Sequence, residues 1–262
     1  MLETDSVTNL KDNLYPLVPV AESYLMLGKY SKAEPLYWQA LSLSKEMLGR
    51  EHPSTLGTMN NLATVLKHQN KYEEAEKMCQ QTLRLTERVL GKEHPCTLIT
   101  MDNLALALNY QKRYEEAEKM HQQTLRLMKK VLGKENPSTL RSMNNLAVAL
   151  DHRKEYEKAE EICQQTLRLK ERVLGRDHPS TLNSMNNLAG VLYSQKKYEE
   201  AEEICQQTLS LREKVLGREH PSTLISIGNL VIMLKSQGKH KEAMEIYQQT
   251  QGVTERPTNH TG

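Results

Sequence analysis

Carboxamides are the side chains here whose type and spacing point to chemistry. Asn61, Asn103, Asn145, Asn187 and Asn229 stand 42 residues apart, and Asn60, Asp102, Asn144 and Asn186 precede four of them. A carboxamide carries both a donor and an acceptor. A row of them can therefore pair with the backbone of an extended peptide and ignore its side chains. The same row can instead bond from one helix to the next and fix how repeats stack. Both readings stand at this level.

Other reactive types recur without assembling a catalytic set. His52, His94, His178 and His220 each precede a proline, and Asn136 fills the fifth such place, which reads as a loop or cap position. His68 and His152 are two repeats apart, too far to share a metal at ligand distances of about 2 Å. Cys79, Cys163 and Cys205 occupy one repeat position, taken by His121 and Tyr247 in two other repeats, and read as small buried thiols. Cys96 stands where other repeats have Ser, in an expected loop. Pairs such as Glu73-Glu74 fall at solvated helix starts, and HExxH, P-loop and GxSxG patterns are absent. No catalytic residue, no metal site and no cofactor is expected.

The elements that position these residues follow from the period. Tyr30, Tyr72, Tyr114, Tyr156 and Tyr198 keep the 42-residue step, as do Pro53, Pro95, Pro137, Pro179 and Pro221 and the glycines from Gly49 to Gly217. A fixed period of 20–50 residues marks a solenoid whose units bury their apolar faces on one another. In residues 53–94, Pro53 opens a first helix (A), and Leu56, Met59, Leu62, Ala63 and Leu66 recur at steps of three and four. Residues 68–71 make a turn. A second helix (B) runs from Tyr72 with Ala75, Cys79, Thr82, Thr86 and Val89 on one stripe, and Gly91 ends it as a left-handed cap. The expected fold is all-α: a right-handed α-solenoid of stacked antiparallel helix pairs.

Six repeats are expected over residues 11–250: 11–52 (degenerate), 53–94, 95–136, 137–178, 179–220 and 221–250 (truncated). A disordered leader (1–10) and a disordered tail (251–262) flank them. Pro16 and Pro19 delay helix A of the first repeat to about residue 16 or later. Gly228, Val231 and His240 depart from the pattern in the last repeat. Its end lacks a polar capping helix, so either it dimerises or it continues in a longer parent.

Composition narrows the function classes. The net charge of +2, with a pI near 8.2, is too mild for a nucleic-acid partner, which calls for a basic domain with pI above about 9. No apolar run reaches membrane-spanning length, and residues 1–13 do not form a signal peptide. A cytoplasmic protein is expected.

The unit resembles a tetratricopeptide repeat. Leu62, Ala63, Tyr72, Ala75 and Thr82 match that family's pattern, although the family's usual period is about 34 residues. The longer form, with Met59-Asn60-Asn61-Leu62-Ala63, Val89-Leu90-Gly91 and His94-Pro95, resembles the cargo-binding repeats of kinesin light chains. Similar arrays end multidomain nucleotide-binding sensor proteins.

The resemblance implies a non-catalytic scaffold that binds a peptide segment in a concave groove lined by helix A, as a cargo adaptor. The alternative is a sensor or assembly module of a nucleotide-binding signalling protein. It implies a kinesin heavy chain as partner only where a coiled coil is supplied elsewhere, since the residues before the repeats carry no heptads. The groove residues it implies are the two Asn rows (Asn61, Asn103, Asn145, Asn187, Asn229; Asn60, Asp102, Asn144, Asn186), the departures Arg141 and Asp151, and the aromatic anchors Tyr110 and Tyr193. Other variable positions are Thr64, Leu106, Val148, Gly190, Ile232, Lys67, Asn109 and Lys235. Because few Lys or Arg are expected to converge, a neutral or mildly amphipathic ligand is expected. Self-association through the terminal repeats is a further expectation.

Overall fold

A computed structural model describes residues 17–254 of the chain, with side chains to residue 248. The expected leader (1–10) and the part of the expected tail beyond 254 lie outside the described residues. Every described element is a helix. The first, α1, covers 17–26, as the two early prolines require. Then come α2 (Tyr30–Met47), α3 (Pro53–His68), α4 (Tyr72–Val89), α5 (Pro95–Tyr110), α6 (Tyr114–Val131), α7 (Pro137–His152), α8 (Tyr156–Leu174), α9 (Pro179–Ser194), α10 (Tyr198–Leu216), α11 (Pro221–Ser236) and α12 (His240–Thr254). Odd-numbered helices are the A helices and even-numbered ones the B helices. The helix α12 continues to Thr254, past Thr250 where the repeat pattern stops.

The chain forms two compact units, Met1–Asn145 and Leu146–Gly262, so that α7 contributes its first part to one and its last part to the other. In the first unit α2, α3, α4, α5 and α6 pack in sequence, and α3 also touches α5. In the second, α8 through α12 pack in the same serial way. Within each unit the helix pairs stack as an α-solenoid.

Short local devices set the helix ends. Proline stands first in α3, α5, α9 and α11, and the preceding histidine caps each helix. Nδ1 of His52, His94, His178 and His220 accepts the backbone N–H two residues on, at 3.1–3.2 Å. Asn136 does the same for Ser138 with its Oδ1 at 2.9 Å. The recurrent histidines are therefore caps. Cys96 is the second residue of α5 rather than a loop residue, because the cap and Pro95 start the helix before it. Gly175 and Gly217 follow α8 and α10 with φ of +90° and +83° and ψ near 160°. They occupy a positive-φ, extended conformation instead of the expected left-handed helical cap. Glycine reaches that region at no steric cost.

The core is built from medium and small side chains. Leu56, Met59 and Leu62 have no exposure, and burial of each contributes roughly 1.5–3 kcal/mol. Cys79, Cys163 and Cys205 are buried free thiols, and burial raises each pKa, to about 12, 12 and 11.

Between repeats, one glutamate of a B helix takes two donors from the following A–B turn. Glu76 accepts from Gln111 and Arg113, Glu160 from Gln195 and Lys197, and Glu202 from Gln237 and Lys239, all at 2.7–2.8 Å. These contacts hold each B helix to the next A helix, and so fix the face that the A helices present.

Candidate functional site

The A-helix face is built by position within the turn. The core takes the Leu-Ala pair on α3, α5, α7 and α9 and Leu230-Val231 on α11, and the residue just before that Leu is left half-buried at the surface. This is where Asn61, Asn103, Asn145, Asn187 and Asn229 stand. One position earlier, on α3, α5 and α7, the side chain turns into the seam between helices. Asn60 and Asn144 are each 6% exposed and Asp102 has no exposure. Expected on the groove face, these three are instead buried in the seam.

In the first unit the buried row is structural. Asn60 donates through Nδ2 to the Thr100 hydroxyl at 2.9 Å, joining α3 to α5. Asp102 accepts from Asn145 Nδ2 at 2.9 Å, and its other oxygen lies 3.1 Å from His121 Nδ1, which is equally buried. Burial alone would raise the Asp102 pKa. The His121 hydrogen bond and the nearby charges of His121 and Arg141 outweigh it, so the carboxyl titrates below its ordinary 3.8. Arg141 is half-exposed above it, with Nε 3.8 Å from Asp102 Oδ2.

The ammonium of Lys67 is also in this neighbourhood. Burial and then the charge of Arg141 lower its pKa, while Asp102 raises it. Asn61 donates to Glu22 at 3.2 Å. Tyr110 is exposed on one side and stacks flat on Tyr72 at a centroid distance of 5.1 Å.

In the second unit the predicted residues converge. Asp151 at the end of α7, Asn186, Asn187 and Tyr193 on α9, and Asn229 on α11 line one depression of about 320 Å³. Val148, Gly190, Val191, Ile232 and Met233 complete its walls. Asn229 donates to Asn186 Oδ1 at 3.1 Å, and the Tyr193 and Ser236 hydroxyls are 2.7 Å apart. Burial raises the Asp151 pKa against the effect of a Ser194 hydrogen bond.

The Asn row therefore divides by use. Asn61, Asn145 and Asn229 spend their amides on neighbouring helices. Asn103 and Asn187 are half-buried and make no side-chain hydrogen bond among the described residues. Of the thirteen predicted residues, ten keep a surface on the A-helix faces, in two sets, one in each unit.

The pattern did not disclose that His121 and Asp102 form a pair, nor that Ser194 supports Asp151. The signal for the first was present, because both depart from the consensus in one repeat. Among the described residues no three His, Cys, Asp or Glu side chains converge as a metal site requires, and no helix is long and apolar enough to cross a membrane.

Comparison with known proteins agrees with this architecture. The family model described as tetratricopeptide repeat matches residues 16–77, 55–130, 101–161, 138–203 and 180–255. A nucleotide-binding leucine-rich repeat (NLR)-like protein of Hyaloscypha variabilis is 51% identical over 56 residues, which are 21% of this chain and 5% of that protein. The chain thus corresponds to a small fraction of that relative's length.

The crystal structure of nearly identical TPR-like repeats from Podosopora anserina, named as a candidate kinesin light chain, is similar with a TM-score of 0.64 at 30% identity. That alignment covers 79% of this chain and all of the other. NprR, solved in complex with its cognate peptide NprX, shares the fold, with a TM-score of 0.66 at 16% identity over 90% of this chain and 66% of its own.

Proposed function

This chain belongs to the tetratricopeptide repeat family, and we propose that it is a non-catalytic scaffold holding a peptide segment of a partner protein along its A-helix face, as a kinesin-light-chain-like cargo adaptor. The observation that carries this reading is the pair Asn103 and Asn187. Each amide lies half-buried on the A-helix face of its own unit, Asn103 in the first and Asn187 in the second, with no side-chain hydrogen bond among the described residues. A paired donor and acceptor at a fixed height on a helix face suits the alternating N–H and C=O of an extended chain. The likeness to the Podosopora repeats and the peptide held by NprR support it.

A fluorescently labelled peptide selected on the full chain tests the reading. Replacing Asn103 and Asn187 together with Ala is expected to weaken it at least tenfold, with an unchanged thermal midpoint. Undiminished binding would overturn the proposal.

The cytoplasm is the proposed location, in keeping with the three buried, unpaired thiols. A kinesin heavy chain is a partner only if a coiled coil is supplied by another segment or chain. Self-association through the terminal repeats is also proposed. It requires a mass above the monomer by light scattering, and a strict monomer at high concentration contradicts it.

A second reading is favoured by the match to the NLR-like protein: a sensor or assembly module of a nucleotide-binding signalling protein. The reading frame flanking the gene separates the two. A nucleotide-binding domain upstream supports the sensor, and a heptad segment supports the adaptor.

A further inference from the structure

The depression in the second unit has a composition that backbone binding does not require. At the position of Gly190 other repeats carry Thr64, Leu106, Val148 and Ile232. A Cβ on Gly190 would meet nothing within 4 Å, and its φ is not positive, so packing and backbone geometry both permit a side chain there. The glycine leaves a hollow. Val148, the Tyr193 ring and Ile232 wall it, with Ile232 53% exposed.

Asp151 is the charged residue of the lining. Its Oδ1 is buried and accepts no hydrogen bond, while Ser194 supports the carboxylate. Of the other polar groups, Asn229 is engaged with Asn186 and Tyr193 with Ser236, while the Asn187 amide makes no side-chain hydrogen bond among the described residues. No lysine or arginine among the described residues acts on Asp151. A buried acceptor left without a donor is unfavourable, more so when charged. Asp151 as a whole is half-buried and lines the depression, so a donor that reaches its carboxylate from there offsets that loss. The side chains that combine an aliphatic stem with a cationic donor head are those of Lys and Arg.

We propose that this depression is a pocket for one lysine or arginine side chain of the bound segment. The methylene stem lies along Val148, Tyr193 and Ile232 in the hollow left by Gly190, and the cationic head donates to Asp151. The proposal rests on the peptide-scaffold reading and gives the partner a chemical class, a segment with a basic residue at a fixed position.

A positional-scanning peptide library bound to the full chain tests it. Wild type is expected to enrich Lys or Arg at one position, and replacing that residue by Ala in the best peptide to weaken binding at least tenfold. Asp151→Asn should abolish the enrichment, and Asp151→Lys should turn it toward Asp and Glu. Gly190→Val, which installs the side chain found at Val148, fills the hollow and should give the same loss in a chain that melts normally. Peptides that bind and are lost on Asn103→Ala with Asn187→Ala, yet show no basic preference, would overturn the pocket and keep the scaffold. A library with no enriched peptide would overturn both.

Discussion

His121 Nδ1 lies 3.1 Å from Asp102 Oδ1, and neither side chain has any exposure. In other repeats these two positions hold Cys79, Cys163 or Cys205 and Asn60, Asn144 or Asn186. The two exchanges sit in one repeat and meet in space, so each supplies the partner the other needs. Breaking a buried pair from one side leaves a stranded polar group, at a cost of about 3–5 kcal/mol. Asp102→Asn or His121→Cys alone is expected to lose that much in urea unfolding. The double variant, which installs the pair found in the other repeats, should recover most of it. Additive losses would show that the two side chains are not coupled.

Acid should act on the same carboxylate. Although burial raises the Asp102 pKa, the His121 hydrogen bond and the charges of His121 and Arg141 bring it below 3.8 overall. The folded state therefore binds this proton more weakly than the unfolded chain, and the stabilisation is complete above the ordinary value and is lost as pH falls below it. The gap in midpoint temperature between wild type and Asp102→Asn should be constant above about pH 5 and close in more acidic buffer. A gap that widens as the pH is lowered below 3.8 would contradict the assignment.

The histidine caps admit a clean substitution, because Asn136 already performs the task in one repeat. His178→Asn should leave the midpoint within experimental error. His178→Ala removes the acceptor of the Ser180 N–H and should lose about 1 kcal/mol. Equal effects of the two would mean that the ring serves by packing and not as a cap.

Lysine occupies a left-handed turn position between helices at Lys112, Lys154 and Lys196, with φ of 63–65°, where the terminal repeats have Gly28 and Gly238. A side chain in that region is strained by about 1–2 kcal/mol, while glycine adds unfolded-state entropy of about 0.5–1 kcal/mol. Lys196→Gly is expected to stabilise the chain by up to about 1 kcal/mol, read as a higher midpoint in thermal unfolding. A lower midpoint would show that the lysine makes a compensating contact.

Much of the fold is legible because a repeat states its own grammar several times. Pro53 and its counterparts start helices, the 3–4 spacing of Leu56, Met59 and Leu62 names the core, and Gly91 marks the break. The candidate face was legible to within one residue. Periodicity places Asn60 and Asn61 on neighbouring bearings, about 100° apart on a helix, and cannot say which turns into the seam. Nor does it reveal pairing across helices: His121 and Asp102 are 19 residues apart, and only the packing of α5 on α6 joins them. The hollow at Gly190 is invisible for a similar reason, since it becomes a cavity only when α9 is set between α7 and α11.

The measurement that bears most directly on the central claim is chemical-shift mapping of a selected peptide on the full chain, with labelled Asn side chains and labelled Ile and Val methyls. The scaffold reading predicts shifts at Asn103 and Asn187 and at the methyls of Val148 and Ile232, all on A helices. Shifts confined to the outer face of α4, where Lys77, Arg84 and Arg88 line a separate shallow depression, would contradict it.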